Sequence, residues 1–342
     1  NTTQSIQDWT LSVIESVDII YGLAWGDEGK GKITNAKAKH YDWVCRWNGG
    51  PNAGHTVYVN GKKYKTHSVP SGIFAGKKCV IGPGCVINME KMLEELRMLT
   101  MAGFDVNLVK IHPNAHIITE DHIAYDKEHL GHLGTTAQGI APCYADKMLR
   151  RGKRAVEVLE PNWIWNGELN GKVLCEGAQS VWLDIDHGDY PYVTSSTTMP
   201  YGACSLGFSP RKVRQLIGIA KIYDTKSGKD PLFPETLWDD PVLSKIIQEG
   251  GEYGSTTGRK RIVNWLNLDK LKKAIVLSGC TELVINKCDV LEKIGQFSVI
   301  HGNEKINFTN LHEMKNYIIN TLMYSSGGDL YDIAFSGDVE KI

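Results

Sequence analysis

Short apolar runs closed by glycine or polar residues alternate along the chain with stretches whose apolar positions recur at helical spacing. The run Val17-Asp18-Ile19-Ile20-Tyr21-Gly22-Leu23 reads as a buried first strand feeding a glycine-rich turn. Segments 43–47, 80–82, 109–111, 274–277 and 283–285 read as further strands. Val57-Tyr58-Val59 and Lys62 to His67 flank Asn60-Gly61, a pair suited to the primed turn of a hairpin. Met89 to Met101 has helical spacing, with Asn88 as its N-cap. Strands alternating with helices predict an α/β fold with a mainly parallel central sheet. The polar segment Asn1 to Ser16 is expected to be an extension ahead of the first strand.

Composition narrows the function. At 342 residues the chain can bury a sizeable core, as one large domain or as two or three. A formal net charge of −1 leaves no broad basic footprint for nucleic acid or an anionic membrane, so small anions held by local cations remain. Eight cysteines form no CxxC pair and mostly sit in apolar runs, which predicts buried, reduced thiols and favours a cytoplasmic setting. No apolar stretch approaches membrane-spanning length, and no signal peptide is expected.

Six segments carry candidate chemistry. Trp25-Gly26-Asp27-Glu28-Gly29-Lys30-Gly31-Lys32 follows a strand and meets most of a phosphate-loop pattern, but Ile33 stands where such a loop needs Ser or Thr for magnesium. Its glycines expose backbone N–H groups, the next helix offers its N-terminus, and two lysines add charge. A carboxylate inside such a loop makes sense if it holds Mg²⁺ or takes a proton. Asn52-Ala53-Gly54-His55-Thr56 sets an imidazole, suited to proton donation near neutral pH, behind small residues that let a ligand approach. Gly134 to Pro142, with Arg150-Arg151, offers Thr hydroxyls and guanidinium forks to a phosphate. Glu176 to Ser180, then Asp184 to Gly188 and Tyr190 to Ser196, is dense in side chains able to read a base edge. Gly254 to Arg261 is a Thr/Gly loop ending in cations, suited to a small dicarboxylate. Asn286-Lys287-Cys288-Asp289 matches the guanine-reading NKxD pattern.

In this order the segments resemble adenylosuccinate synthetase, through WGDEGKGK, NAGHT, DIDHG with YPYVTSS, and TTGRKR, over about Ile20 to Leu291. The resemblance implies one large P-loop-related α/β domain over residues 17–342, usually in a homodimer. It implies a ligase joining L-aspartate to C6 of a 6-oxopurine nucleotide. In that family Asp27 aligns with the base that removes the N1 proton and with a Mg²⁺ ligand. His55 aligns with the acid on the O6 side, and Lys30 with a phosphate neutraliser. The Gly54 carbonyl aligns with a second Mg²⁺ ligand. Asn52, Thr136, Gln179 and Thr194 align with contacts to the purine monophosphate, and Arg150 with a residue reaching the partner subunit's substrate. Thr256, Thr257, Arg259 and Arg261 align with the aspartate loop. Gly26, Glu28, Gly29, Gly31, Lys32, Gly54, His55, Thr56, Lys287 and Asp289, with Ser336 and Gly337, align with the triphosphate site.

The chain departs from the family in length, most of the loss falling between Gly152 and Glu176. It also departs at Phe335 to Val339, which replaces a donor-base segment and leaves GTP against ATP or dATP open. Ala24 and Ser180 replace a Gln and a Gly expected near the purine pocket. Compact members occur in bacteriophages, where they act on dGMP and make a succinylated precursor of 2-aminoadenine. The size of this chain leans the reading to dGMP, with IMP as the alternative; some phage members replace the catalytic Asp that is retained here as Asp27, but its carboxylate can accept from both N1–H and the 2-amino group of guanine. A GTP-hydrolysing switch would also carry the phosphate loop and NKCD, but it leaves the Thr/Gly/Arg loop without a use.

Overall fold

The computed structural model of the protein describes residues 13–233, 240–254, 257–340 and 342. Eight strands form one sheet: β1 (Ile14–Gly22), β2 (Trp43–Arg46), β3 (Lys78–Ile81), β4 (Val109–Ile111), β5 (Gly171–Ser180), β6 (Val213–Lys221), β7 (Glu282–Asn286) and β8 (Asp332–Phe335). Their spatial order is β8-β7-β6-β1-β5-β2-β3-β4, and every neighbouring pair is parallel. Parallel strands are covered on both faces, so they read as near-continuous apolar runs rather than as alternation. β1 follows this rule, with 17–22 buried throughout. Ile19 and Tyr21 pack into one core, and Ile20 into another with Val44, Leu174, Ile217 and Val284. Successive side chains point to opposite faces, so one strand serves two cores.

The hairpin at His55–Val59 and Lys62–Thr66 turns through Asn60 and Gly61, both at positive φ, as the Asn-Gly pair predicts. The helix Met89–Met101 forms with Asn88 accepting from the Lys91 N–H. Two expectations need correction. β1 begins at Ile14, because 14–16 pair with Gly171 and Lys172 at the sheet's more open margin, where polar residues are tolerated. Residues 1–12 of the expected extension lie outside the described residues. Segment 274–277 is helical, within Leu268–Ser278: Leu268, Leu271, Ala274 and Ile275 bury one stripe, Asn267 caps the start and Gly279 ends it in left-handed geometry. A four-residue apolar window cannot separate these cases, whereas the spacing over eleven residues does.

A smaller four-stranded sheet, Tyr223–Lys226, Ile262–Asn267, Phe297–His301 and Glu304–Phe308, lies beyond β6. All eight cysteines are unpaired thiols and all but Cys204 are buried. Burial raises their pKa, Cys288 to about 11. No helix among the described residues is long and apolar enough to cross a membrane.

Candidate active site

A cavity of about 900 Å³ opens at the carboxyl ends of β1, β5, β6, β7 and β8. This is where open parallel sheets bind ligands. Its floor is the turn from β1 into the helix Lys30–Ala38. Gly26 and Gly29 both sit at φ 95°, and Asp27 between them sits at φ 61°. A Cβ at Gly31 would come 2.8 Å from the His55 Cβ, so glycine is what lets the imidazole lie against the helix start. No side chain caps that helix, which leaves its first N–H groups to an anion in the cavity.

Glu28 lines the loop, but its side chain is turned under it. Its carboxylate accepts from the Ala24 and Gly26 N–H groups at 3.2 and 2.9 Å, from Lys30 Nζ at 2.8 Å and from the Ser180 hydroxyl. Glu28 therefore shapes the cradle with a fully committed carboxylate, while the residue itself stays in the cavity wall. Lys30 lines the cavity with its ammonium on Glu28. Lys32 reaches Asn286 Oδ1 at 3.0 Å and Ser336 Oγ at 2.6 Å, tying the ends of β7 and β8 to the loop. Burial lowers its pKa to about 8, against the pull of Asp338 and Asp289. Ser336 is buried in this contact and does not line the cavity, whereas Gly337 does. Ala24 and Ser180 are likewise off the cavity wall, buried against Glu28.

His55 is buried with Nδ1 on the Glu176 carboxylate, and Nε2 has no protein partner. Burial lowers the imidazole pKa. Burial would raise Glu176, but His55, Arg46 and the Ser71 hydroxyl together hold it below its ordinary value. Glu176 thus engages the ring through Nδ1, which leaves Nε2 as the nitrogen presented to the site. Glu176 also accepts from Ser71 N and Oγ at 2.8 and 2.6 Å.

Asp27 lies 3.2 Å from Arg261 Nε, and Ser227 Oγ is 3.4 Å from its Oδ2. Arg261 also contacts Glu252, which accepts from Lys221 Nζ at 3.2 Å and Tyr223 Oη at 2.6 Å. Burial would raise Glu252, but Lys221, Arg261 and Lys287 hold it at about 2. Asn52, Gly54, Thr56, Thr136, Gln179 and Thr194 line the same cavity, and the Gln179 Oε1 and Thr194 Oγ1 atoms are buried without partners. So do Thr257, Lys287 and Asp289, while Thr256 lies outside the described residues. Lys287 Nζ donates to the Gly250 carbonyl at 2.8 Å.

Besides Ser336, two expected residues stand off the cavity wall. Arg259 is exposed and donates to the Thr135 carbonyl at 3.4 Å. Arg150 is exposed at φ 61° just past the helix Ile140–Met148. Sequence reasoning placed Glu176 only within a base-reading segment, not as the partner of His55, and gave no role to Lys221 or Glu252, whose partners are distant along the chain. It also passed over Lys63 and Lys65 on the hairpin, both in the cavity wall. Their two-residue spacing on a strand was the available signal.

A glycine-lined anion cradle at the carboxyl ends of a parallel sheet, beside an imidazole and a carboxylate, defines an α/β protein that handles nucleotide phosphates. The family model for adenylosuccinate synthetase matches residues 19–169 and 162–317, and the chain belongs to that family of carbon–nitrogen ligases. Adenylosuccinate synthetases of Thermodesulfovibrio yellowstonii and Porphyromonas gingivalis are 39% and 38% identical to it. The first match covers 84% of this chain and 80% of the relative, the second 86% and 84%. The fully ligated adenylosuccinate synthetase of Plasmodium falciparum matches with a TM-score of 0.74 at 29% identity, over 86% of this chain and 84% of that one. The cyanophage S-2L succinoaminodeoxyadenylate synthetase, bound to dGMP and dATP, shares the fold with a TM-score of 0.74 at 20% identity, over 96% and 94%. Family membership sets aside the GTP-hydrolysing switch.

Proposed function

We propose that the protein joins L-aspartate to C6 of IMP, with GTP as phosphoryl donor and Mg²⁺ as cofactor. Asp27 takes the N1 proton, and the freed electron pair makes O6 the nucleophile at the γ-phosphorus. GDP leaves. The aspartate amine then attacks C6, the C6–O6 bond breaks and phosphate departs with O6. His55 Nε2, buried and without a protein partner, carries a proton in this step, with Glu176 supporting the charged ring through Nδ1–H, and donates to O6 as charge develops there. Arg261 holds the aspartate carboxylates, exchanging its present contact with Asp27 for the substrate.

The observation that carries this reading is one cavity wall holding both the Asp27 carboxylate and the orphan His55 nitrogen beside an uncapped helix start. Among the described residues no three His, Cys, Asp or Glu side chains converge on one ion. That suits Mg²⁺, which is usually held by one or two carboxylates together with substrate phosphates. Asp27 and the Gly54 carbonyl, both in the wall, would hold it, and it would supply charge neutralisation on the phosphates. GTP is supported by Asp289 in the wall, whose carboxylate suits a guanine edge, and by Gly337, where a Cβ would come 3.1 Å from Asp289.

IMP is favoured because relatives at 38–39% identity are adenylosuccinate synthetases and because Ala24 and Ser180 stand behind the loop. A second reading, dGMP, draws on the internal shortening between Gly152 and Glu176, in a chain that shares its fold with the cyanophage enzyme. The two Asp27 oxygens can also accept from both N1–H and the 2-amino group of guanine. The test crosses IMP, GMP and dGMP with GTP, ATP and dATP and follows succinyl-purine absorbance. IMP with GTP should give the highest kcat/KM, and a clear preference for dGMP would reverse the assignment.

We further propose a homodimer in which Arg150 of each protomer reaches the partner's substrate phosphate. Its exposure away from its own cavity, beside exposed Met148 and Leu149, supports this.

A further inference from the structure

Asp126 is only 2% exposed, yet it forms part of the cavity wall. It lies in the helix Glu120–His129, while both its partners lie in the segment that follows. Its Oδ1 accepts from the Thr135 hydroxyl at 2.7 Å and its Oδ2 from the Gly139 N–H at 2.9 Å. One carboxylate therefore grips both ends of the short turn that carries Thr136, itself in the cavity wall. Ala137, at φ 54°, is further held by its N–H on the Thr135 hydroxyl oxygen at 3.2 Å. Gly139 allows no relief, since a Cβ there would meet Ile118 and the 122–123 backbone at 2.9 to 3.0 Å. The outer side of the same turn is tied as well. The Thr135 carbonyl accepts from Arg259 of the Gly254–Arg261 loop, and a Cβ at Gly134 would come 3.0 Å from Lys229 N.

We propose that Asp126 is a positioning residue for the monophosphate substrate: it holds the Thr135–Gly139 turn in the shape that offers Thr136 and the turn's backbone N–H groups to the 5′-phosphate. This rests on the reading of Thr136 as a phosphate contact. Through Thr135 the same carboxylate keeps that turn in register with Arg259, so loss of Asp126 is felt weakly at the aspartate site and not at the donor site.

The test compares Asp126→Ala, Asp126→Asn, Thr135→Val and Thr136→Ala, with KM measured separately for the monophosphate, aspartate and triphosphate. Removing both hydrogen bonds to a buried carboxylate should raise the monophosphate KM by about tenfold or more. It should leave the triphosphate KM unchanged and kcat within about threefold, since those two hydrogen bonds serve binding rather than the reacting atoms. Asp126→Asn, which keeps one oxygen acceptor, should recover part of the loss. If Asp126→Ala does not fold, Thr135→Val reports alone, with a smaller rise in the same constant. A monophosphate KM unmoved in Asp126→Ala and Thr135→Val, with Thr136→Ala still impaired, would overturn the role of Asp126. Equal rises in all three constants would overturn it too, as general loosening of the fold. An unimpaired Thr136→Ala would instead remove the phosphate contact on which the inference rests.

Discussion

Asp27 holds a left-handed backbone conformation that costs a non-glycine residue on the order of 1–3 kcal/mol, so the surrounding loop must impose it. The buried Glu28 carboxylate does so from below, by accepting two loop N–H groups. Asp27→Asn keeps the shape and removes the proton-accepting charge. Turnover should fall by about 10²–10⁴-fold, while nucleotide binding followed by calorimetry stays close to that of the parent. A second effect at this scale concerns pH. Glu252, held at about 2 against an ordinary 4.5, contributes stability that is full above 4.5 and is lost as pH falls from there toward 2. Denaturant titrations of Glu252→Gln should therefore show a shallower loss across that window than the parent. Asp27 and His55 were legible in the sequence because each sits inside a compact local pattern. Glu176 and Glu252 were not, because what makes them matter is His55, 121 positions away, and Lys221, 31 positions away.

At the scale of elements, the helix Lys30–Ala38 can start beside His55 only because residue 31 has no side chain. Gly31→Ala should push the imidazole off Glu176, destabilise the fold by about 1–3 kcal/mol and lower kcat, read by thermal melting and steady-state rates. The Asn60-Gly61 hairpin and the helix from Met89 were legible because turn chemistry and capping are local. β5 was not. Its sequence ends in Glu-Gly-Ala-Gln-Ser, and only burial between β1 and β2 makes that a central strand. A Cβ at Gly177 would strike Trp47 at 2.5 Å, so the apparent weakness of that strand is close packing.

For the whole molecule, the parallel sheet brings residues from 25 to 339 to one rim, so a single cavity can hold three substrates. The α/β class and parallel sheet were legible from alternating elements, whereas the strand order was not, since pairing across the sheet leaves no local trace. The proposed dimer adds a requirement. Arg150→Leu protomers would have intact sites lacking a partner's guanidinium, and Asp27→Asn protomers would supply it. Mixing the two inactive variants should restore a fraction of activity. Absence of recovery, with mixed dimers shown to form, would count against a shared site.

The central claim is that the carboxylate in the phosphate cradle makes the purine carbonyl oxygen the acceptor of the phosphoryl group. Supplying substrate labelled with ¹⁸O at C6 and analysing the released phosphate by mass spectrometry tests it most directly. The account predicts one ¹⁸O in each phosphate released in the presence of aspartate, with none left in the succinylated product. Unlabelled phosphate alongside succinylated product would contradict it.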